Sequence, residues 1–374
     1  MNMSKKIGLS SAGHLLASQF RVPRDVEGDP NLDQELIEAL TSLGILSTIT
    51  DTAQPVDLHR NFQGWKSQRG MLLDTRRTQA FKAAIEEAIK GGETVIDVGS
   101  GSGIMSMFAA RAGAKEVFAL EITDLVHASR LIAQKNGLDS IKFLQGDAGS
   151  FRAESKVDLI ISEFVGMYVL DEWLHFSAFA KVRDANLKDD GEVIPRSATM
   201  YLSAIDNHHL YVERGFGFWQ APVFDLDFSD VSALETRFPR REIVYQFEEK
   251  SIVGTAKVAS LDFRNCSIDD YFFEKELEFT YPADGYCHGF LGHFDLEIRD
   301  GTYISTSPLE SSTNWRQSYF PVPKIAVKSG EKIELIFRTF KNSTTGEFCV
   351  SLQYKNRTID GYPSEFVYVL DSVA

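Results

Sequence analysis

The chain has 374 residues, 43% hydrophobic and 25% charged, an ordinary globular composition and enough length for two domains with cores of their own. No run approaches the roughly 18 apolar residues of a membrane span, and Met1 to Arg21 lacks the continuous apolar stretch of a secretory signal. A formal net charge of −14 disfavours a nucleic-acid backbone as partner and suits a basic one, although it also serves plain solubility.

Three scattered cysteines, Cys266, Cys287 and Cys349, fit a reducing compartment, cytoplasmic or nuclear, and exclude a CxxC metal or redox motif. Residues 1–60 read as a partly helical N-terminal extension: Gln34 to Leu46 has helical spacing behind Pro30-Asn31, and Thr48 to Asp57 looks like a loop. Asp74 to Lys90 repeats the helical pattern and is closed by Gly91-Gly92. Strands and helices then alternate. Strands are expected at Thr94–Val98, Val117–Glu121, Ile141–Gln145, Val157–Ser162 and Glu192–Ile194, with helices at Gly103–Ala112, Leu125–Asn136 and Asp171–Val182. That is the pattern of an α/β fold with a doubly wound parallel sheet, placed over residues 61–195.

After Pro195 the texture becomes alternating, at Thr199–Ala204, His288–Ile298, Thr302–Ser305, Gln317–Val322, Lys332–Phe337 and Glu347–Gln353. A second domain of antiparallel strands is expected over 196–374. Within it Asp206 to Leu234 is acidic and rich in aromatics, from Tyr211 to Phe228. Such a stretch fits a partner-facing surface and an ordinary core insert equally well.

The segment Asp97-Val98-Gly99-Ser100-Gly101-Ser102-Gly103 puts a glycine-rich turn after a buried strand, where backbone approaches a ligand and the next helix offers free N–H groups. Glu121, ending the next strand, can accept hydrogen bonds from both hydroxyls of a ribose. Both nicotinamide and S-adenosyl-L-methionine enzymes use such parts. Two details favour the sulfonium cofactor. The turn reads Asp-x-Gly-x-Gly-x-Gly where the nicotinamide fingerprint is Gly-x-Gly-x-x-Gly, and Asp97 suits an ammonium better than a pyrophosphate. Arg77 is a candidate for the cofactor carboxylate, and Asp147, at the end of the third strand, lies near the adenine or caps a turn.

Glu163 follows the strand Val157–Ser162 at the carboxyl edge of the sheet, where ligands bind in open α/β folds. Glu172 comes nine positions later, and Gly166 between them lets the segment fold back. Two carboxylates at close range are costly without a cation, and a guanidinium fork matches them bidentately. Taken alone, Glu172 equally suits the start of the following helix.

Val-Gly-Ser-Gly-Ser-Gly-Ile at 98–104, Ser162-Glu163 with Glu172, Pro195, Ser305-Thr-Ser-Pro308 and Thr313-Asn-Trp315 together resemble the protein arginine methyltransferases, from about Gln68 to the C-terminus. The resemblance implies a Rossmann-type cofactor domain, a C-terminal β-barrel and a dimerisation arm near 206–234, hence a homodimer. It implies methyl transfer from S-adenosyl-L-methionine to arginine, with Glu163, Glu172 and Asn314 as catalytic residues. By the same resemblance Gln68, Met71, Arg77, Asp97, Gly99, Gly101, Glu121, Ile122, Asp147 and Ala148 bind the cofactor. The substrate is an arginine-containing protein; free arginine or another small guanidine is the alternative, and an inactive scaffold of the same fold a further one. No metal is expected. The chain departs from the family at Asn314, where it has His, at Gly149, where it usually has Glu, and at Leu58–Trp65, which lacks its tyrosines. Met71 replaces a phenylalanine that accompanies symmetric dimethylation, and points toward monomethyl or asymmetric dimethyl products.

Overall fold

A computed structural model describes residues 7–9, 46–48, 64–244, 249–359 and 361–370. Two short strands, β1 (Ile7–Leu9) and β2 (Leu46–Thr48), pair antiparallel. Leu46, expected to end a helix, and Thr48, expected to open a loop, instead belong to β2; the rest of that helix from Gln34 and of that loop up to Asp57 lies outside the described residues.

The α/β part opens with helices α1 (Trp65–Leu73) and α2 (Thr75–Ala88). Asp74 ends the first and caps the second: its side chain accepts the Arg77 backbone N–H at 2.9 Å. Along α2, Arg77, Phe81, Ala84 and Ile85 are buried at helical spacing. Strands β3 (Thr94–Val98), β4 (Glu116–Glu121), β5 (Ile141–Gln145), β6 (Val157–Ser162) and β7 (Leu187–Ile194) form one parallel sheet in the order β5-β4-β3-β6-β7. Helices α3 (Ile104–Arg111), α4 (Leu125–Lys135) and α5 (Trp173–Asn186) connect the strands. Val95, Ile96, Val117, Leu159, Ile160 and Ile161 are buried, as a sheet covered on both faces requires. The strand order reverses beside β3, so β3, β4 and β6 bring their carboxyl ends together at the place where open α/β sheets bind ligands. From α2 to β7 the expected and observed elements agree in type and order, whereas α1 has no expected counterpart. The final strand runs back to Leu187, because α5 hands directly to it.

The expected β-rich part is two antiparallel sheets. One has the order β10-β8-β12-β14-β9 with β13 on β12, and the other β11-β15-β16-β17. Their strands are β8 (Ser197–Ile205), β9 (Glu242–Val244), β10 (Ile252–Asp262), β11 (Glu274–Thr280), β12 (Gly285–Arg299), β13 (Thr302–Ser305), β14 (Gln317–Val327), β15 (Lys332–Lys341), β16 (Phe348–Tyr354) and β17 (Glu365–Val369). β10 and β11 lie against each other and bring the two sheets together. Alternation is clear in β8, whose Ala198, Met200, Leu202 and Ala204 all face the core. It is hidden in β11, where Glu274, Lys275, Glu276 and Glu278 surround the two buried residues Leu277 and Phe279. The 206–244 segment leaves β8, forms α6 (His208–Arg214) and α7 (Ser229–Glu235), and rejoins the sheet through β9. No helix among the described residues is long and apolar enough to cross a membrane.

Candidate active site

After β3 the chain reverses through Gly99, Gly101 and Gly103, all at positive φ (72°, 51° and 75°). A Cβ on Gly101 would come within 3.0 Å of the Gln68 side chain, so α1 closes directly over the turn. Gln68 Oε1 accepts the Ser102 N–H at 3.0 Å, and Ser129 Oγ donates to the Gly101 carbonyl at 2.8 Å. Glu121 is buried at the end of β4 and held by two amides, Gly101 N–H at 2.8 Å and Thr123 N–H at 2.7 Å. Each carboxylate oxygen keeps further lone-pair capacity for a ligand hydroxyl.

Asp97 is buried one layer deeper, its Oδ2 accepting Ser106 N–H at 3.0 Å and Ser106 Oγ–H at 2.6 Å. Burial pushes its carboxyl up to about 6 against the pull of Ser106, with Glu121 adding to the rise. Asp147 Oδ1 accepts the Gly149 N–H at 3.0 Å and caps a short turn, and the residue lines the same cavity.

The two glutamates belong to one tightly folded loop. Glu163 follows β6, with Oε1 accepting the Val165 N–H at 3.1 Å and Oε2 paired with Arg77 Nη2. A Cβ on Gly166 would sit 2.5 Å from the Asp171 Cβ, so only glycine allows the chain to fold back here. Val169 holds φ at 61°, uncommon and costly for a β-branched residue. Asp171 Oδ2 accepts the Tyr168 N–H at 2.6 Å, and Tyr168 Oη donates to the Tyr201 carbonyl of β8 at 2.9 Å. Glu172 stands at the N-cap of α5, as a helix-start residue would, yet makes no side-chain capping bond and lines the cavity instead. Its carboxyl is held well above the usual carboxylate range, first by burial and then by Glu163 and Asp171, with Arg77 pulling the other way. His175 Nδ1 lies 3.4 Å from Glu172 Oε2.

Arg77 reaches the cleft from α2, its guanidinium 5.6 Å from the Trp315 ring centre and 5.9 Å from that of Phe81, and donates from Nη1 to the Met71 carbonyl at 3.3 Å. Gln68, Met71, Arg77, Asp97, Gly99, Gly101, Glu121, Ile122, Asp147, Ala148, Glu163 and Glu172 all line one cavity. Asn314 does not line it; its backbone N–H donates to Asp74 Oδ2 at 2.7 Å, tying the loop after β13 to the junction of α1 and α2. Sequence reasoning passed over Asp74, whose place before Thr75-Arg-Arg-Thr78 is a cap signal. It also passed over Ser106; Ser162, named in the sequence beside Glu163, donates from Oγ to the Val98 carbonyl at 2.7 Å.

Among the described residues, five carboxylates (Asp97, Glu121, Asp147, Glu163 and Glu172) and the one guanidinium of Arg77 line this cavity. Such a wall repels a pyrophosphate and attracts cations, and so fits a sulfonium nucleoside with an ammonium group next to a guanidinium. Together with the parallel sheet, it defines a Rossmann-type methyltransferase carrying an antiparallel β domain.

Comparison with known proteins carries this further. Residues 196–358 match the arginine methyltransferase oligomerization subdomain, and residues 76–176 match the ribosomal protein L11 methyltransferase family. Protein arginine N-methyltransferase 1 of Schizosaccharomyces pombe is 31% identical over 281 residues, 73% of this chain and 81% of that protein. A probable protein arginine N-methyltransferase 6.1 of Oryza sativa subsp. indica is 32% identical over 306 residues, 71% of this chain and 78% of its own. The Trypanosoma brucei PRMT1 enzyme-prozyme heterotetrameric complex with AdoHcy aligns with a TM-score of 0.74 at 26% identity, covering 83% of this chain and 99% of its own. Arabidopsis thaliana protein arginine methyltransferase 10 shares the fold at a TM-score of 0.69 and 23% identity, covering 83% of this chain and 99% of its own. The chain belongs to the protein arginine N-methyltransferase family.

Proposed function

We propose that Glu163 and Glu172 hold the guanidinium of a protein arginine side chain against the cofactor, orienting it for methylation. The chain is an S-adenosyl-L-methionine-dependent arginine N-methyltransferase. The observation that carries the residue assignment is the convergence of both glutamates on the cavity that the glycine turn and Glu121 also line.

When bound, S-adenosyl-L-methionine supplies an electrophilic methyl group on a sulfonium. Glu121 is placed to take the ribose hydroxyls, Asp97 to face the ammonium, and Arg77, freed from Glu163, to take the carboxylate. Gln68 and Met71 cover the turn from α1, and Ile122, Asp147 and Ala148 border the adenine side. The two glutamates draw the positive charge of the guanidinium toward the nitrogens they contact, leaving electron density on the third, and fix its direction of attack. Glu172, ionised beside the bound guanidinium cation and made the stronger base by burial and by Glu163, is the better placed to take the proton released as the nitrogen gains its methyl group. Asn314 acts from outside the cavity by anchoring Asp74, which in turn caps the helix that carries Arg77.

We read residues 206–234 as a dimerisation arm and the protein as a homodimer. The oligomerization subdomain match and the exposed Phe218, Phe224 and Leu226 support this.

The test uses labelled S-adenosyl-L-methionine with an arginine-glycine-rich peptide and, separately, free arginine. The wild-type chain is expected to label the peptide. Glu163→Gln is expected to lower the rate by about a thousandfold or more, while S-adenosylhomocysteine still binds within a few-fold by calorimetry. Full turnover in that variant would remove the guanidinium role, and labelling of free arginine alone would remove the protein substrate.

A further inference from the structure

We propose that Arg241 is a positioning residue for the glutamate pair, latching the return limb of the 206–244 segment onto the glutamate loop through Asp171. The inference rests on reading Glu163 and Glu172 as the guanidinium-binding pair. Arg241 Nη1 forms an ion pair with Asp171 Oδ1, the two side chains being 7% and 0% exposed. Arg241 immediately precedes β9, and its Nη1 also donates to Ser318 Oγ of β14 at 3.3 Å. β9 is itself paired to β14, Ile243 facing Ser318 and Glu242 facing Tyr319. The latch therefore sits where the segment rejoins the sheet.

On the other side, Asp171 is the residue before Glu172, and it shapes the loop from within. Its Oδ2 takes the Tyr168 N–H, and its Cβ fills the space left by Gly166. One buried carboxylate thus orders the loop with one oxygen and reads the position of the arm with the other. A buried carboxylate stripped of its cation is strongly unfavourable, so the pair is either made or the loop rearranges.

The charge balance at Glu172 gives the latch a signature that a passive packing contact lacks. The groups facing Glu172 are Glu163 and Asp171 on its own loop, Arg77 from α2, His175 from α5 and Tyr271 from the β domain. With Arg241 in place part of the charge of Asp171 is offset. Without it, the unpaired charge adds to that of Glu163 and disfavours ionised Glu172.

Hydrogen–deuterium exchange and a pH profile test the latch on Arg241→Gln, Arg241→Lys, Asp171→Asn and the double variant Arg241→Gln with Asp171→Asn. In Arg241→Gln the amides of residues 165–171 should exchange about tenfold faster, the scale of a local opening, with β3 to β7 unchanged. Arg241→Lys, which keeps the charge and folds with the least disturbance, should give intermediate exchange. The acidic limb of the kcat/KM profile should move to higher pH in Arg241→Gln and return toward wild type in the double variant, with KM for the cofactor nearly constant. Wild-type loop exchange in Arg241→Gln, or in Arg241→Lys should the Gln variant not fold, would overturn the proposal. So would a pH limb that does not return in the double variant. A wild-type chain that methylates no arginine peptide would count against the reading of the glutamates, while the exchange arm would still decide the latch.

Discussion

Asp97 shows at the scale of one side chain how the proposed cofactor role is set against stability. Its carboxylate is buried, serves the start of α3 through Ser106, and titrates near 6 because burial opposes its charge. The unfolded chain releases this proton near pH 4, whereas the folded chain keeps it until about pH 6. The native state binds the extra proton in that window, so stability falls as pH rises through it, by up to about 3 kcal/mol. Asp97→Asn keeps an oxygen for the Ser106 N–H and carries no charge. Its melting temperature relative to wild type is expected to climb from pH 4 to pH 7, while its affinity for S-adenosylhomocysteine falls about tenfold as the ammonium loses its counter-charge. Scanning fluorimetry across pH and calorimetry at pH 7.5 read the two effects. A flat difference in melting temperature would show that the fold leaves the Asp97 carboxyl at its unfolded value.

The glutamate loop is the element on which the proposed chemistry depends, and its geometry is set by Gly166 and Asp171 more than by the glutamates. Gly166→Ala forces a Cβ to within 2.5 Å of Asp171, so the loop must shift while the sheet behind it need not. The variant is expected to keep its melting temperature within a few degrees and its affinity for S-adenosylhomocysteine within a few-fold. The same variant should lose about ten- to a hundredfold in kcat, the cost of misplacing reacting groups by an ångström; wild-type kcat would mean the loop tolerates the shift. Much of this element was legible in the chain. Glu163 directly after an apolar strand, Gly166 and Glu172 nine positions on are local features, as are the glycine turn and Glu121. What holds the loop was not legible, because Arg241, Tyr201 and Asp171 meet only through the fold. Asn314 shows the same limit: the motif drew attention to its side chain, whereas the recorded contact is a backbone amide on Asp74. β11 escaped for a different reason, its charged outer face swamping two buried apolar positions.

At the scale of the whole molecule, apolar side chains are left uncovered on two different parts of one chain. The 206–244 segment exposes Phe218, Leu226 and Phe224, the last at 93%, while Leu131 and Ile132 of α4 and Leu144 of β5 are exposed on the α/β part. Large exposed apolar groups on both are what an arm and its receiving surface would present. A twofold dimer in which each arm lies on its partner's α/β part covers both patches at once, and every contact then occurs twice. Burial of a Leu or Phe side chain stabilises by about 1.5–3 kcal/mol, so removing one anchor costs at least about 3 kcal/mol per dimer, more than a hundredfold in its dissociation constant. Phe224→Ser and, independently, Leu131→Ser are therefore expected to turn a dimer into a monomer in sedimentation velocity at micromolar concentration. Both should leave the circular dichroism spectrum unchanged, since neither side chain belongs to the core of its own chain. If only Phe224→Ser dissociates the dimer, the arm docks elsewhere than on α4; if neither does, these faces serve some other contact. Because the arm returns through Arg241 to the glutamate loop, dissociation should also lower methyl transfer at saturating peptide, an effect that neither surface residue has reason to exert directly.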